Sequence, residues 1–517
     1  MELSFKMLNR IAQALLSTAG LVALLGLASP SVAAQATWPM LEVDHVFDSG
    51  SASNQGNEPQ VVLSFPVNFD TASSIRLHFD DVRLAGNVLA GTGSYLRITS
   101  LFDGAVQTMD ATHVEQWNNS SAYFNGPAVQ VDVIAFPGTG PNRVSVEALE
   151  IGIPADPQET QCGPVDDRVP SNDPRVSRLM PVGCTSWMIN DCGKCMLSAG
   201  HCGANPGSMV QYNVPFSNPN GSLVFPPPSD QYAIDQASMQ FLNSTDDWRY
   251  FGTFVNSTSG LTAWETQQAA FDLAQPPASP TGQSIRITGH GTDSTPDQTY
   301  NQKQQTHVGP LVSIGTNLNY QADTTGGSSG SPVIWEDTGF AIGIHTNGGC
   351  STTGSGSNNG TPTSSVSLQA ALANPMGVCR GGTNVTDLGQ SLLASPFTRV
   401  PNLRMCGDLT AGSSLAIDLS VGIPASAQGV TMTAYFILGF SEANVPFEGG
   451  ILVPSPDTIM SLDIDTSGLT AGASLNTTWP SSIPAGTQAW LQVWLPFSDG
   501  GTVSGTLASN ALTFIAQ

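Results

Sequence analysis

The clearest hydrophobic patterns in this chain have period two. In Ser74-Ile75-Arg76-Leu77-His78-Phe79-Asp80 every second position is apolar, as a half-buried strand requires. Val129-Gln130-Val131-Asp132-Val133 and Arg143-Val144-Ser145-Val146-Glu147 repeat the pattern, and no helical periodicity of similar strength competes with them. Residues 37–157 therefore read as a β domain, with a linker and a domain start between Pro154 and Pro164. Towards the other end, Val430 to Leu438 and Ala489 to Leu495 are strand-like. In the second run Leu491, Val493 and Leu495 share one face and Trp490, Gln492 and Trp494 the other. Pro454-Ser455-Pro456 and the stretch from Pro480 to Pro484 interrupt the chain between strands. A β-sandwich is the expectation for both 37–157 and 405–517.

Composition narrows the function classes. The 517 residues suggest roughly three domains at about 150 residues each. Charged residues make up 11%, with 16 Lys+Arg against 40 Asp+Glu and a net charge of −24. Such a surface offers no footprint for phosphate backbones or anionic membranes, so neither is an expected partner. The charge content is also far below that of a coiled coil. Hydrophobic residues at 40% are enough for packed cores, and 53 Gly with 36 Pro suggest many turns between short strands.

The first residues read as a targeting segment. Lys6 and Arg10 form a basic start, an apolar stretch runs from Ile11 to Ala28, and Ala34-Gln35-Ala36 suits signal-peptidase cleavage. The expectation is a signal peptide over 1–36, no membrane span after its removal, and a secreted protein. Cysteines at 162, 184, 192, 195, 202, 350, 379 and 406 form an even set, which in an exported chain suggests disulfides. Their pairing is not readable from spacing. A zinc site of Cys192, Cys195, His201 and Cys202 has tolerable spacing, and a redox Cys-x-x-Cys is formally available. Export favours disulfides over both, and zinc would consume His201. No cofactor or metal is expected.

The chemistry lies in the middle, residues 158–400. Leu197-Ser198-Ala199-Gly200-His201-Cys202 comes first, then Asp246-Asp247-Trp248-Arg249-Tyr250-Phe251. Thr324-Thr325-Gly326-Gly327-Ser328-Ser329-Gly330-Ser331-Pro332-Val333 follows. A serine hydroxyl needs a neighbouring imidazole to accept its proton, and the imidazole needs a carboxylate to hold one tautomer. Backbone N–H groups must receive the oxyanion that forms, and a glycine-rich turn lets the backbone present them.

These motifs resemble the chymotrypsin-fold serine endopeptidases, most nearly the bacterial branch with the V8-type glutamyl endopeptidases. Leu-Ser-Ala-Gly-His-Cys matches the family's histidine motif, and Thr-Thr-Gly-Gly-Ser-Ser-Gly-Ser-Pro-Val matches its serine motif. Gly343-Ile344-His345 and Ile287-Thr288-Gly289-His290-Gly291 are similar to segments of that branch. The likeness covers roughly 160–380. It implies an all-β, chymotrypsin-like double β-barrel protease domain, here flanked by two β-sandwich-like domains. It also implies a catalytic set of His201, Asp247 and Ser329, with Gly327 and Ser329 as oxyanion donors and polypeptides as substrates. Asp246 is a second candidate for the acid, because Arg249 and Tyr250 depart from the family pattern. The likeness further suggests a Cys184–Cys202 disulfide bracing the histidine, leaving Cys192-Gly193-Lys194-Cys195 to close a tight loop of its own.

For specificity, Asp323 stands six residues before Ser329, where an acidic residue selects Lys or Arg in trypsin-like enzymes. Thr324 and His345 instead resemble the residues that recognise a glutamate side chain, and hydroxyl and imidazole can both donate to a carboxylate. Acidic P1 preference is the favoured reading, with basic preference as the alternative. Asn347-Gly348-Gly349-Cys350 departs from the V8 pattern. A reading from another class is a catalytically inactive β-module protein whose flanking domains bind a surface or polymer. A further one makes 37–157 a pro-segment cut near Gln158 to Gly163.

Overall fold

β-Branched and aromatic residues set between Gly- and Pro-rich turns fit a pleated, half-buried surface, and strands dominate accordingly. The structure, a computed structural model, describes residues 40–152, 159–244, 246–280, 282–293, 298–380, 385–398, 400–407, 409–468, 470–501 and 503–516. The expected targeting segment over 1–36 and residues 154–158 of the expected linker lie outside them.

Two closed six-stranded antiparallel barrels occupy the middle of the chain. The first runs Val176–Met180, Cys184–Met188, Met196–Ser198, Asp247–Thr253, Gln231–Asn243 and Met209–Gln211, and closes back on Val176–Met180. The second runs Gln305–Ile314, Ser284–Gly289, Pro332–Trp335, Ala341–Asn347, Asn358–Pro362 and Leu318–Tyr320, and closes on Gln305–Ile314. This is the expected chymotrypsin-like double β-barrel. Closure leaves no free sheet edge, so every strand can be short. Trp187 and Phe271, both fully buried and edge-on at 5.5 Å, lie in one core with Leu197, Tyr250, Ile334 and Ile344, which joins the two barrels.

Residues 40–152 form two antiparallel sheets. One contains Met40–Asp48, Pro141–Gly152, Ser74–Arg83 and Phe124–Asn125, with Ala52–Ser53 on its edge. The other contains Gln60–Asn68, Ala128–Ala135, Tyr95–Ser100 and Val106–Met109. Their common core extends into the first barrel through Met180, Met209, Leu223, Phe225 and Ala233. Tyr123 stacks on Phe225 at 4.4 Å. The Gln231 side chain both donates to the Tyr123 carbonyl (2.9 Å) and accepts from the Tyr123 N–H (3.0 Å). Asn125 makes the same reciprocal pair with the backbone of Phe225.

Beyond residue 385, a six-stranded sheet of Val385–Gly389, Ala511–Ile515, Gln488–Ser498, Thr431–Gly439 and Thr458–Ile464, with Ser504–Ala508 alongside, accompanies a three-stranded sheet. The latter contains Asn402–Gly407, Ser414–Gly422 and Thr470–Thr478, and both sheets contribute to a single core.

All eight cysteines are paired: Cys162–Cys350, Cys184–Cys202, Cys192–Cys406 and Cys195–Cys379. The brace beside the histidine forms as expected. The expected Cys192–Cys195 loop does not. Cys192 reaches into the strand Asn402–Gly407 and Cys195 reaches Cys379, and each bridge ties the first barrel to later chain. The same pairing removes the zinc and redox readings, since none of the thiols is free.

Candidate active site

The site lies where the two barrels meet. His201 sits in a single 3-10 turn, Gly200–Cys202, directly after the strand Met196–Ser198. Gly200 is obligatory there, because a Cβ would stand 1.6 Å from the Leu242 carbonyl oxygen. The turn is held from several sides. Cys202 is bridged to Cys184, and Arg249 donates to the Gly200 carbonyl at 2.8 Å. Burial lowers the Arg249 pKa to about 10, and the nearby Asp247 charge opposes that shift.

Asp247 opens the strand Asp247–Thr253 and is buried at 7% exposure. One carboxylate oxygen accepts the His201 backbone N–H at 2.9 Å, and the other lies 2.5 Å from His201 Nδ1. Two contacts from one carboxylate fix both the position and the tautomer of the ring: Nδ1 carries the proton and Nε2 is left as an acceptor. Thr361 bridges the Asp247 backbone N–H and carbonyl, at 3.1 and 3.0 Å. Asp246 is engaged elsewhere, accepting from the hydroxyls of Ser365 and Ser367 at the start of the helix Val366–Ala373.

Ser329 projects from the turn between Thr324–Thr325 and Pro332–Trp335. Its Oγ makes a long 3.5 Å bond to the Thr346 carbonyl, and no hydrogen bond joins it to His201. Nucleophile–base contacts of this kind are often loose without substrate. The turn is shaped by Gly327 at φ +95° and Gly330 at φ +90°, conformations that glycine adopts without steric cost. The Thr292 N–H donates to the Gly326 carbonyl at 2.8 Å. In a planar trans peptide this turns the Gly327 N–H to the opposite edge. Neither the Gly327 N–H nor the Ser329 N–H has an acceptor among the described residues. The arrangement can supply a held imidazole acceptor, a partly exposed hydroxyl and two open N–H donors, the parts needed for acyl transfer.

The three specificity candidates fare differently. Asp323 is not open to a substrate cation: its side chain is 0% exposed, and its oxygens accept the N–H groups of Cys162 (2.7 Å) and Asp167 (2.8 Å). Thr324 is buried, and its hydroxyl oxygen accepts from Asn358 at 3.0 Å. His345, 2% exposed, has Nδ1 2.7 Å from the Tyr320 hydroxyl. Burial, reinforced by the neighbouring His201, lowers its pKa to about 3, so the ring is neutral at ordinary pH. The chain around Asp323 and Thr324 is further fastened by Cys162–Cys350 and by pairing of Glu159–Thr160 with Thr324–Thr325.

Sequence reasoning missed Thr185, Arg249, Thr292 and Thr361, which hold the reacting groups in place. The departure of Arg249 and Tyr250 from the family pattern was the available signal for one of them. Tyr250 donates its hydroxyl to the Asp191 carboxylate at 2.6 Å.

No protein-family model and no curated protein matches this chain. Among solved structures it is similar to a thermostable serine protease from an extremophilic microorganism, at 14% identity over 39% of this chain and 97% of that one, TM-score 0.31. A Glu endopeptidase solved with MPD matches at 20% identity over 41% and 97%, TM-score 0.31. The protease Anisep of Arthrobacter nicotinovorans matches at 14% identity over 42% and 100%, TM-score 0.31. At such scores these likenesses add nothing to the geometry above.

Proposed function

We propose that the chain is a serine endopeptidase that hydrolyses peptide bonds through His201, Asp247 and Ser329. The observation that carries the reading is the double engagement of His201 by the Asp247 carboxylate, facing a turn whose Gly327 and Ser329 N–H groups are open. Ser329 Oγ attacks the scissile carbonyl as His201 Nε2 takes its proton. Asp247 stabilises the imidazolium, and the two N–H groups receive the oxyanion. The protonated imidazole then releases its proton to the leaving amine, and water repeats the sequence on the acyl-enzyme. Four disulfides fit maturation in an oxidising compartment, in line with export.

An acidic P1 side chain is preferred over a basic one. Supporting this, the Asp323 carboxylate is spent on backbone N–H groups, while the Thr324 hydroxyl and the His345 imidazole belong to the same wall. The test is a peptide-library digest read by mass spectrometry, with Ser329→Ala as control. Cleavage by the wild type alone, after Glu or Asp, is the expected outcome. Cleavage retained by Ser329→Ala sinks the triad, and cleavage after Lys or Arg sinks the specificity.

A further inference from the structure

The open Gly327 N–H depends on one peptide, Gly326–Gly327, having its carbonyl turned towards Thr292. The groups that fix this peptide lead to a buried arginine outside the catalytic set. Arg168 has a side chain 3% exposed. Its guanidinium forms a bidentate pair with Asp166 at 2.6 to 3.1 Å. The remaining donors point into the second barrel. Nη1 donates to the Thr325 hydroxyl at 2.7 Å and Nη2 to the Thr292 carbonyl at 2.8 Å. The Thr325 hydroxyl in turn donates to the same Thr292 carbonyl at 2.9 Å.

Thr292 is thus gripped through its carbonyl by two donors while its N–H holds the Gly326 carbonyl. Thr325 lies on the other side of that peptide, one residue before Gly326, and its carbonyl and N–H bond to Ser328. Gly291 leaves room for the arrangement: a Cβ there would stand 2.2 Å from Arg168 Nη1 and 2.3 Å from Thr325 Oγ1. From the far side, Thr185 donates its hydroxyl to the Gly327 carbonyl at 2.9 Å. A buried guanidinium with fixed fork geometry can hold three acceptors in one plane, which a lysine ammonium cannot reproduce.

We propose that Arg168, anchored on Asp166, is a positioning residue for the oxyanion donors. It locks Thr292 and Thr325 so that the Gly326–Gly327 peptide keeps its N–H open to the oxyanion. This rests on the serine endopeptidase reading above and goes beyond it. All the locking groups lie at or after residue 166.

The experiment uses the full exported chain and three variants, Arg168→Ala, Arg168→Lys and Thr325→Val, with Arg175→Ala as control. Arg175 makes a similar pair with its own Asp173 but holds no part of the turn. Each is assayed for thermal unfolding, for kcat and KM on a peptide amide, and for inhibition by a peptide aldehyde, whose bound form carries an oxyanion. Loss of a single oxyanion donor lowers kcat by about 100- to 1,000-fold. A mispositioned peptide is expected to lower it by about 10- to 100-fold in Arg168→Ala and Thr325→Val, with KM within about threefold. Aldehyde affinity should fall in parallel, Arg168→Lys should be intermediate, and Arg175→Ala should match the wild type. If Arg168→Ala does not fold, Thr325→Val, which removes one hydroxyl, provides the test. A folded Arg168→Ala or Thr325→Val with wild-type kcat and aldehyde affinity overturns the inference alone. A wild type that neither cleaves nor reacts with a fluorophosphonate overturns the protease reading, and this inference with it.

Discussion

At the scale of single residues, two neighbouring aspartates have opposite environments. Asp247 holds His201 twice, while Asp246 holds two serine hydroxyls. Asp247→Asn should lower kcat by about 10,000-fold with the fold retained, because an amide cannot impose the required tautomer. Asp246→Asn should leave kcat within a few fold, and steady-state kinetics on both variants checks the contrast. The motifs pointed to His201 and Ser329 from sequence, and Asp247 was preferred to Asp246 only on the start of the apolar strand positions at Trp248, since adjacent carboxylates differ chiefly in what surrounds them. Arg168 was equally invisible, because nothing local distinguishes a buried arginine from a solvated one.

Two other histidines give the protein a pH signature. Burial lowers both His290 and His345 from 6.5 to about 3. Below pH 6.5 the unfolded chain takes protons at these positions and the folded chain does not. Stability therefore falls as pH falls from 6.5 towards about 3, by up to about 1.4 kcal/mol per pH unit for each histidine. Above about pH 5.5 ordinary carboxylates contribute little to this slope. Thermal unfolding between pH 7 and 5.5 should show a steadily falling midpoint, and a flat profile would contradict the neutral, buried state of these rings.

At the scale of elements, period-two alternation located the strands but misjudged their surroundings. Ser74–Arg83 was expected to be half-buried, yet Ser74 and Arg76 on its polar side are as buried as Ile75 and Leu77. Arg76 is covered because it pairs with Glu150 and donates to Ser120 and to the Gly207 carbonyl of the first barrel. Alternation reports chemical character, and a polar face can be covered when its hydrogen bonds are met. The long-range disulfides were unreadable for a related reason, as only the fold brings Cys192 near Cys406. The contact between Gln231 and Tyr123 gives this layer a test. Gln231→Ala takes a partner from the Tyr123 N–H and carbonyl and also from the Pro226 carbonyl and the Gln211 amide; the two Tyr123 groups alone should cost about 2–6 kcal/mol at about 1–3 per group. Chemical denaturation of the variant beside the wild type measures it.

At the scale of the whole molecule, the charge of −24 sets the conditions under which substrates arrive. An acidic peptide approaches against the field, so its kcat/KM should rise with ionic strength over about 0.01–0.3 M as the repulsion is screened, while that of a basic peptide should fall. Initial-rate measurements on a matched pair of peptides decide it.

The Cys162–Cys350 bridge spans 188 positions and encloses His201, Asp247 and Ser329 within one covalent ring. A chain with the proposed activity meets copies of itself in solution and is exposed to self-digestion. A single nick inside the ring converts it to a linear segment but releases nothing: the severed pieces stay tethered through Cys162–Cys350. The molecule is thereby built to outlast a first wound from its own kind.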